Sequence, residues 1–367
     1  MEERKRKYKA LWERKLPGIQ DFCILHGDWL MSKNSGPPRK KAKTDDGGGN
    51  SGTRTAALHE DLKAKFKVDL PDDFYQLWDF CKTLDAENPA GAFDDALGLE
   101  LVGPYDLLAD KVVTEGAQDA DFLLHWRYFY DPPEFLTVIK GDEETQHHIG
   151  YFRDEPNKKP VFVASNLAQK NHTISPQGDN LFAAVKLHLN KVLKQTKDKK
   201  KKEELTKLSA KLEQQAKEGG YSLEERPASF KERRKKMVTP TFHGAGIVVP
   251  LDSNEVGYRE LPETDGDLKK MLKKVVEAKD DDERMTRFGD LQEIVTLVQF
   301  ANDECDYGMG YELGIDLFCY GSHFFHKAIR NLLPLAYQLL GRDDFGTVIE
   351  AHLDDRRTTD LARLRLK

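Results

Sequence analysis

Apolar residues recur along this chain with two different periods, and the change of period divides it. Leu70-Pro71-Asp72-Asp73 opens a helical pattern, since proline and acids suit a first turn. Phe74, Leu77, Trp78 and Cys81 follow at helical spacing and would face a core. From residue 98 to 163 the period shortens. FLLHWRYFY, EFLTVIKGD, HHIGYFRD and PVFVASN are β-rich runs broken by Asp-Pro-Pro, Gly-Asp and Pro. They predict an antiparallel meander with helices packed on one face. Residues 179–192 turn helical again, with Phe182, Val185, Leu189 and Val192 on one stripe. The run KQTKDKKKK interrupts this pattern. Residues 203–217 resume it with Leu205, Leu208 and Leu212, until Gly219-Gly220 stops it.

The remainder reads as mostly helical. Residues 241–250 (TFHGAGIVVP) suit a strand or an extended segment. Residues 265–278 and 281–300 predict helices. In the second, Met285, Phe288, Leu291, Ile294, Val295 and Val298 form one apolar face. A final helix carries Phe325, Ala328, Ile329, Leu332, Leu333, Ala336, Tyr337 and Leu340, with Pro334 as a possible kink and Gly341 as the stop. The predicted fold class is α+β. A mixed N-terminal domain with an antiparallel sheet and helices (56–195) and a charged helical connector (196–220) precede a mainly helical C-terminal domain (221–367). A disordered basic tail, residues 1–55, stands in front, with room for a short helix near residues 8–12.

Composition narrows the function. The 367 residues are 39% hydrophobic and 33% charged, which suits two ordinary globular domains with some charged segments. The net charge of -6 argues against a polyanion binder as a whole, so direct DNA binding is not expected. The charge is uneven, because the first 43 residues and residues 194–202 are basic. No apolar run is long enough to span a bilayer, and MEERKRKYKALWERK lacks the apolar core of a secretory signal. Cys23, Cys81, Cys305 and Cys319 are far apart and form no CxxC pair, which argues against a disulfide framework or structural zinc. The chain is read as intracellular. SKNSGPPRKKAKTDD and KERRKK have the composition of nuclear-import addresses. A monomer is expected.

The candidate chemistry lies in residues 300–327, FANDECDYGMGYELGIDLFCYGSHFFHK. Asp303, Glu304, Asp306, Glu312 and Asp316 crowd among glycines and aromatics there. Crowding and desolvation raise a carboxyl pKa and make a better base, although a solvated acidic loop carries the same pattern. Glu304 falls just past one predicted helix, on a glycine-punctuated loop before another. Gly308-Met309-Gly310 reads as a turn. Cys305 with Asp303 and His323 has the residue types of a nucleophile set but no local signature, and a small buried thiol is the plainer reading. His323 and His326 lack the further ligands that a metal needs. His147 and His148 adjoin on a predicted strand and point to opposite faces. No phosphate-binding glycine loop is present. Arg259, in VGYRELPETD, either pairs with Glu260 or Glu263 or clamps a partner carboxylate.

Together these residues resemble the histone PARylation factor 1 family, accessory proteins of the DNA-damage-activated poly(ADP-ribose) polymerases. The resemblance rests on LPDDFYQLWDFC, LGLELVGPYDLL, LHWRYFYDPPEF, GYFRD, GDNLFAAVKL, TFHGAGIVVP, VGYRELPETD and VQFANDECDYGMG with the following ELG, DLFCYGSHFFHK, and it spans about residues 70–340. It implies a cofactor protein, inert toward NAD alone, whose second domain docks on the polymerase catalytic domain beside NAD held by that polymerase. Glu304 would then be the general base supplied in trans, directing ADP-ribosylation to serine on histone tails at damaged chromatin in the nucleus. By the same resemblance Asp303, Arg259 and Tyr258 contact the polymerase, and His323, Asp316 and Lys327 contact polymerase or substrate peptide. Tyr311 stands where an aliphatic residue is expected. Cys23 and His26 alone cannot build the zinc finger that some relatives carry. Two rival readings are a non-catalytic chromatin adaptor and a stand-alone carboxylate hydrolase.

Overall fold

The computed structural model describes the backbone of residues 50–367 and the side chains of residues 56–367. The expected short helix near residues 8–12 and most of the expected tail lie outside the described residues. Helix α1 (Asn50–Phe66) begins ahead of the predicted start at residue 56. Helix α2 (Asp72–Leu84) starts after Pro71, and it buries Phe74, Leu77, Trp78 and Cys81, as the spacing predicts. Short helices α3 (Asp94–Leu97), α4 (Pro104–Leu108) and α5 (Asp119–Leu124) and strands β1 (Glu100–Leu101) and β2 (Val112–Val113) lead into the meander β3 (Phe135–Lys140), β4 (His147–Phe152), β5 (Phe162–Leu167) and β6 (Ser175–Pro176). The sheet is antiparallel in the order β1-β3-β4-β5-β6.

FLLHWRYFY is not a strand. Phe122, Leu123 and Leu124 are the last turn of α5 and are all buried, and Trp126 has a positive φ. Beyond them Asp131-Pro132-Pro133 removes two ladder donors. Arg127 turns inward instead and donates to the carbonyls of Leu123, Pro132 and Phe135.

Helices α6 (Leu181–Gln195) and α7 (Lys199–Glu218) pack on each other. Leu189 of α6 and Leu205, Leu212 and Ala216 of α7 are buried in the same core as α2 and β3. Asp198 caps α7 by accepting from the Lys201 amide, so that helix begins inside the lysine run that was expected to interrupt it.

Helix α8 (Ala228–Lys236) buries no residue of its own and packs Phe230 against Phe135, Phe152 and Phe162. The second core gathers the ribbon β7 (Met237–Thr239) and β8 (Ile247–Val248), α9 (Asp265–Val276), α10 (Asp281–Asp303), α11 (Gly308–Tyr320), α12 (His326–Leu339) and α13 (Asp343–Asp354). A 3-10 turn at His323–Phe325 precedes α12. The C-terminal β9 (Arg365–Leu366) returns to pair with β2. Met285 is 75% exposed and leaves the predicted apolar face, because α10 becomes buried only from Leu291 onward. Helix α13 was not anticipated. Its Phe345, Val348, Ile349, His352 and Leu353 nonetheless follow helical spacing and are buried.

The largest departure is α11. GMGYELGIDLFCY, expected to be a glycine-punctuated loop, is a helix buried from Gly308 to Cys319. Its glycines serve close packing. A Cβ at Gly310 would approach Val298 Cγ1 to 2.9 Å, and one at Gly314 would approach the Leu333 side chain to 2.6 Å. A helix buried on every side has no amphipathic signal to read.

One buried carboxylate joins the halves. Glu134, just before β3, accepts from the hydroxyls of Tyr311 on α11 and Tyr337 on α12, the latter at 2.7 Å. The tyrosine that departs from the expected aliphatic residue therefore has a partner in the other half of the chain. Burial raises the Glu134 carboxyl pKa, and the two hydroxyls oppose that shift. Arg356 adds a second stitch. Its guanidinium lies 3.9 Å from the rings of both Phe129 and Phe318 and donates to both their carbonyls. The double variant Tyr311→Phe/Tyr337→Phe strips Glu134 of both donors and should lower unfolding free energy by about 2–4 kcal/mol in urea titrations. An unchanged midpoint would show that the buried carboxylate is indifferent to them.

Candidate functional site

Helix α10 ends in a turn whose backbone alone explains much of the site. The Cys305 amide donates to Asn302 O at 3.0 Å and the Asp306 amide to Ala301 O at 2.8 Å. This is a Schellman closure with Glu304 at the C-cap and Cys305 in the left-handed position, at φ 65°. Glu304 leaves the helix end part-exposed while Asp306 folds back inside. Asp306 Oδ1 accepts from the Gly257 amide at 3.0 Å, and the Gly308 amide donates to Gly257 O at 2.9 Å. These bonds stitch the segment before Tyr258 onto the α10–α11 turn. A Cβ at Gly308 would meet Tyr258 Cδ2 at 2.9 Å, so glycine is needed there.

Arg259 is thereby aimed at the turn. Its Nη2 donates to Glu304 Oε2 at 2.5 Å and lies 2.7 Å from Asp306 Oδ2. One guanidinium thus bridges two carboxylates whose like charges would otherwise repel at close range. The Glu304 side chain is 35% exposed, against 10% for Asp306. Glu304 is accordingly the carboxylate that is both fixed and reachable.

Tyr258 is half-buried and donates to Glu312 Oε2 at 3.0 Å, and Thr239 donates to Oε1 at 2.7 Å. Together with Val238, Leu261 and Pro262 they line a cleft of about 400 Å³ beside the turn. Burial lifts the Glu312 carboxyl to about 7 and the Asp316 carboxyl well above its ordinary range. Crowding was expected to perturb carboxylates in this stretch, and these two, on the buried helix, are perturbed chiefly by desolvation.

The structure corrects two expectations here. Asp316 is fully buried and accepts from the Phe242 amide at 2.7 Å, which removes it from any contact surface. Cys305 is exposed at the left-handed turn, so it is not a buried thiol. Asp303 is exposed at the end of α10, beside Glu304. His323 and Lys327 are exposed on the 3-10 turn and the first turn of α12, and neither is hydrogen-bonded or ion-paired to the Arg259 turn. Among the described residues no group of three or more His, Cys, Asp or Glu is placed to hold a metal ion, and no helix is long and apolar enough to cross a membrane. Sequence reading did not assign Asp306 and Gly257 as the clasp that orients Arg259. Their pairing across 49 positions has no local signal.

Two measurements follow from this geometry. Glycine adopts positive φ without the Cβ penalty, so Cys305→Gly should raise stability by about 1 kcal/mol in thermal or urea unfolding. A loss would mean that the thiol makes contacts worth more than the strain. Glu312 has a folded pKa raised above its unfolded value, so the folded state binds the extra proton between about 4.5 and 7. Its contribution therefore falls as pH rises through that window. Glu312→Gln should flatten the stability–pH profile by about 2–5 kcal/mol between pH 4.5 and 8, and an unaltered slope would refute the assignment.

Known proteins match this chain over nearly all the described residues. A family model described as histone PARylation factor 1 matches residues 57–356. Histone PARylation factor 1 of Mus musculus is 54% identical over 308 residues, covering 84% of this chain and 89% of that protein. The Danio rerio protein of the same description is 55% identical over 307 residues, covering 84% and 88%. A putative histone PARylation factor 1-like protein of Homo sapiens is 52% identical over 305 residues, covering 83% and 88%. On a family model that spans both cores and on identities of 52–55% over more than four fifths of its length, this chain belongs to the histone PARylation factor 1 family.

Proposed function

We propose that this protein is an accessory factor that completes the active site of a poly(ADP-ribose) polymerase and directs ADP-ribosylation to serine on histones. The observation that carries the reading is the Arg259–Glu304 pair. It presents an accessible carboxylate, held by a guanidinium, on a rigid helix end, with its orientation set by a buried clasp. A reactive group held this way belongs at a surface that a partner covers.

The chemistry follows from what serine lacks. Its hydroxyl is a poor nucleophile at neutral pH, whereas the carboxylates of aspartate and glutamate are already ionised. A base within hydrogen-bond reach contributes about 10²–10⁴-fold, enough to shift the preferred acceptor. In the joint site NAD is held by the polymerase, and Glu304 accepts the serine proton as the oxygen attacks C1″ and nicotinamide departs. Arg259 has two roles in this reading. In the free chain it holds Glu304 in place, and on docking its planar fork turns to acceptors on the polymerase and releases the carboxylate. Asp303 and Tyr258 flank the docking surface, and His323 and Lys327 lie on exposed ground where a basic substrate peptide would run. The acidic turn attracts such peptides. The protein alone is inert toward NAD, and its place of action is damaged chromatin in the nucleus.

The deciding experiment reconstitutes DNA-activated polymerase, NAD and a histone-tail peptide with wild-type protein or Glu304→Gln. Hydroxylamine cleaves acyl esters on Asp and Glu but spares serine ethers. Resistant product should form with the wild type and fall by at least about 10²-fold with Glu304→Gln, while pull-down of the polymerase persists. Equal resistant product from both proteins would remove Glu304 from the chemistry.

A further inference from the structure

The net charge of the chain conceals a strongly basic tip on its N-terminal half. Between residues 191 and 202 stand Lys191, Lys194, Lys197, Lys199, Lys200, Lys201 and Lys202 against one acid, Asp198. Helix α6 ends at Gln195 and α7 begins at Lys199, so all seven lysines converge on the turn of one helical hairpin. All seven are exposed, and none is ion-paired among the described residues. The first buried residue of α7 is Leu205, so every side chain from 197 to 204 stands clear of the core. Leu205, Leu212 and Ala216 anchor the rest of α7 in that core, which makes the tip a rigid support.

Two features separate this tip from a merely solubilising surface. Four lysines fill the first turn of α7, where the helix dipole is positive and acids are the favoured residues. Each of the four is opposed there both by the dipole and by its neighbours. Helices α10 and α13 show the ordinary arrangement, with Asp281, Asp282 and Glu283 opening the first and Asp343 and Asp344 the second. Secondly, no Phe, Tyr or Trp lies between Phe182 and Tyr221. A surface that captured single strands would need such rings as stacking platforms. A dense array of lysines on a hairpin without Phe, Tyr or Trp instead matches a regular polyanion recognised by its charge alone.

We infer that the α6–α7 tip docks on the phosphate backbone of a nucleic-acid duplex, without base readout. The expectation against direct DNA binding averaged charge over the whole chain. What a phosphate backbone meets is the local field, and the Debye length of roughly 8–10 Å confines it to the tip. The tip belongs to the first core and Glu304 to the second, so this contact would act beside the docking turn and independently of it.

The test is fluorescence anisotropy of the full chain with labelled duplex DNA and duplex RNA across a salt series. Wild type should bind with a log–log salt slope of about -4 or steeper. Lys199→Gln/Lys200→Gln/Lys202→Gln should weaken binding at low salt at least about tenfold and make the slope shallower by about 3. The same charge change on α8, Lys231→Gln/Arg234→Gln/Lys236→Gln, should do much less. Circular dichroism melting should not fall in either variant, since all six side chains are exposed and the tip change also relieves the dipole. Equal losses from the two variants would leave only diffuse charge and overturn the assignment. So would a tip variant that binds like wild type, tighter tip-dependent binding to single strands, or tighter tip-dependent binding to poly-glutamate, which would point to an acidic protein.

Discussion

A buried carboxylate with two tyrosine donors holds this molecule in register. Glu134 stands at the entry to the sheet and receives hydroxyls from α11 and α12, so the first core cannot move without disturbing the second. Burying such an acid is costly, and both hydroxyls converge on one of its oxygens, Oε1, to offset that cost. Helix α11, buried on all sides, lies along this junction. Its N-terminus is the turn that closes α10, so whatever positions α11 also positions Glu304.

From that anchor the candidate site is built by short steps. The Schellman closure determines where Glu304 leaves the helix and sends Asp306 back inside. Asp306 and Gly308 grip Gly257, and that grip aims Arg259. The guanidinium then neutralises both carboxylates in a place where water still reaches one of them. A partner with acceptors of its own can compete for the Glu304 contact at modest cost, because a pair about a third exposed contributes little net free energy, while the more buried Asp306 keeps its hold on the guanidinium. The site is thus stiff in its backbone and labile in its charge pairing, which suits a group presented to another protein.

The charges divide between the two halves. The α6–α7 tip belongs to the first core, and the acidic turn and its cleft belong to the second. A chain with a net charge of -6 therefore presents two surfaces of opposite character. The basic histone peptides of the proposed function suit one, and a phosphate backbone suits the other.

Much of the architecture was legible in the sequence, either from an apolar stripe on one face of a helix or from β-rich runs between breakers. Helix α2, the stripe on α6 and the face of α12 announce themselves by period. Strands β3 to β5 announce themselves by composition, although β3 and β4 are buried on both faces. The residue types around Glu304 marked the stretch that holds the candidate site. Two of the misreadings share one physical cause. Helix α11 is buried all round and the segment after α5 packs irregularly, so neither has an alternation to read. Met285 follows the apolar spacing of α10 but lies outside its packed stretch. Only the tertiary structure could decide that Asp316 lies inside, that Tyr311 reaches Glu134, and that Arg259 bridges Glu304 and Asp306. Each of these depends on groups far apart in the chain. The sequence specifies which side chains are available, whereas burial and long-range hydrogen bonds decide which of them meet.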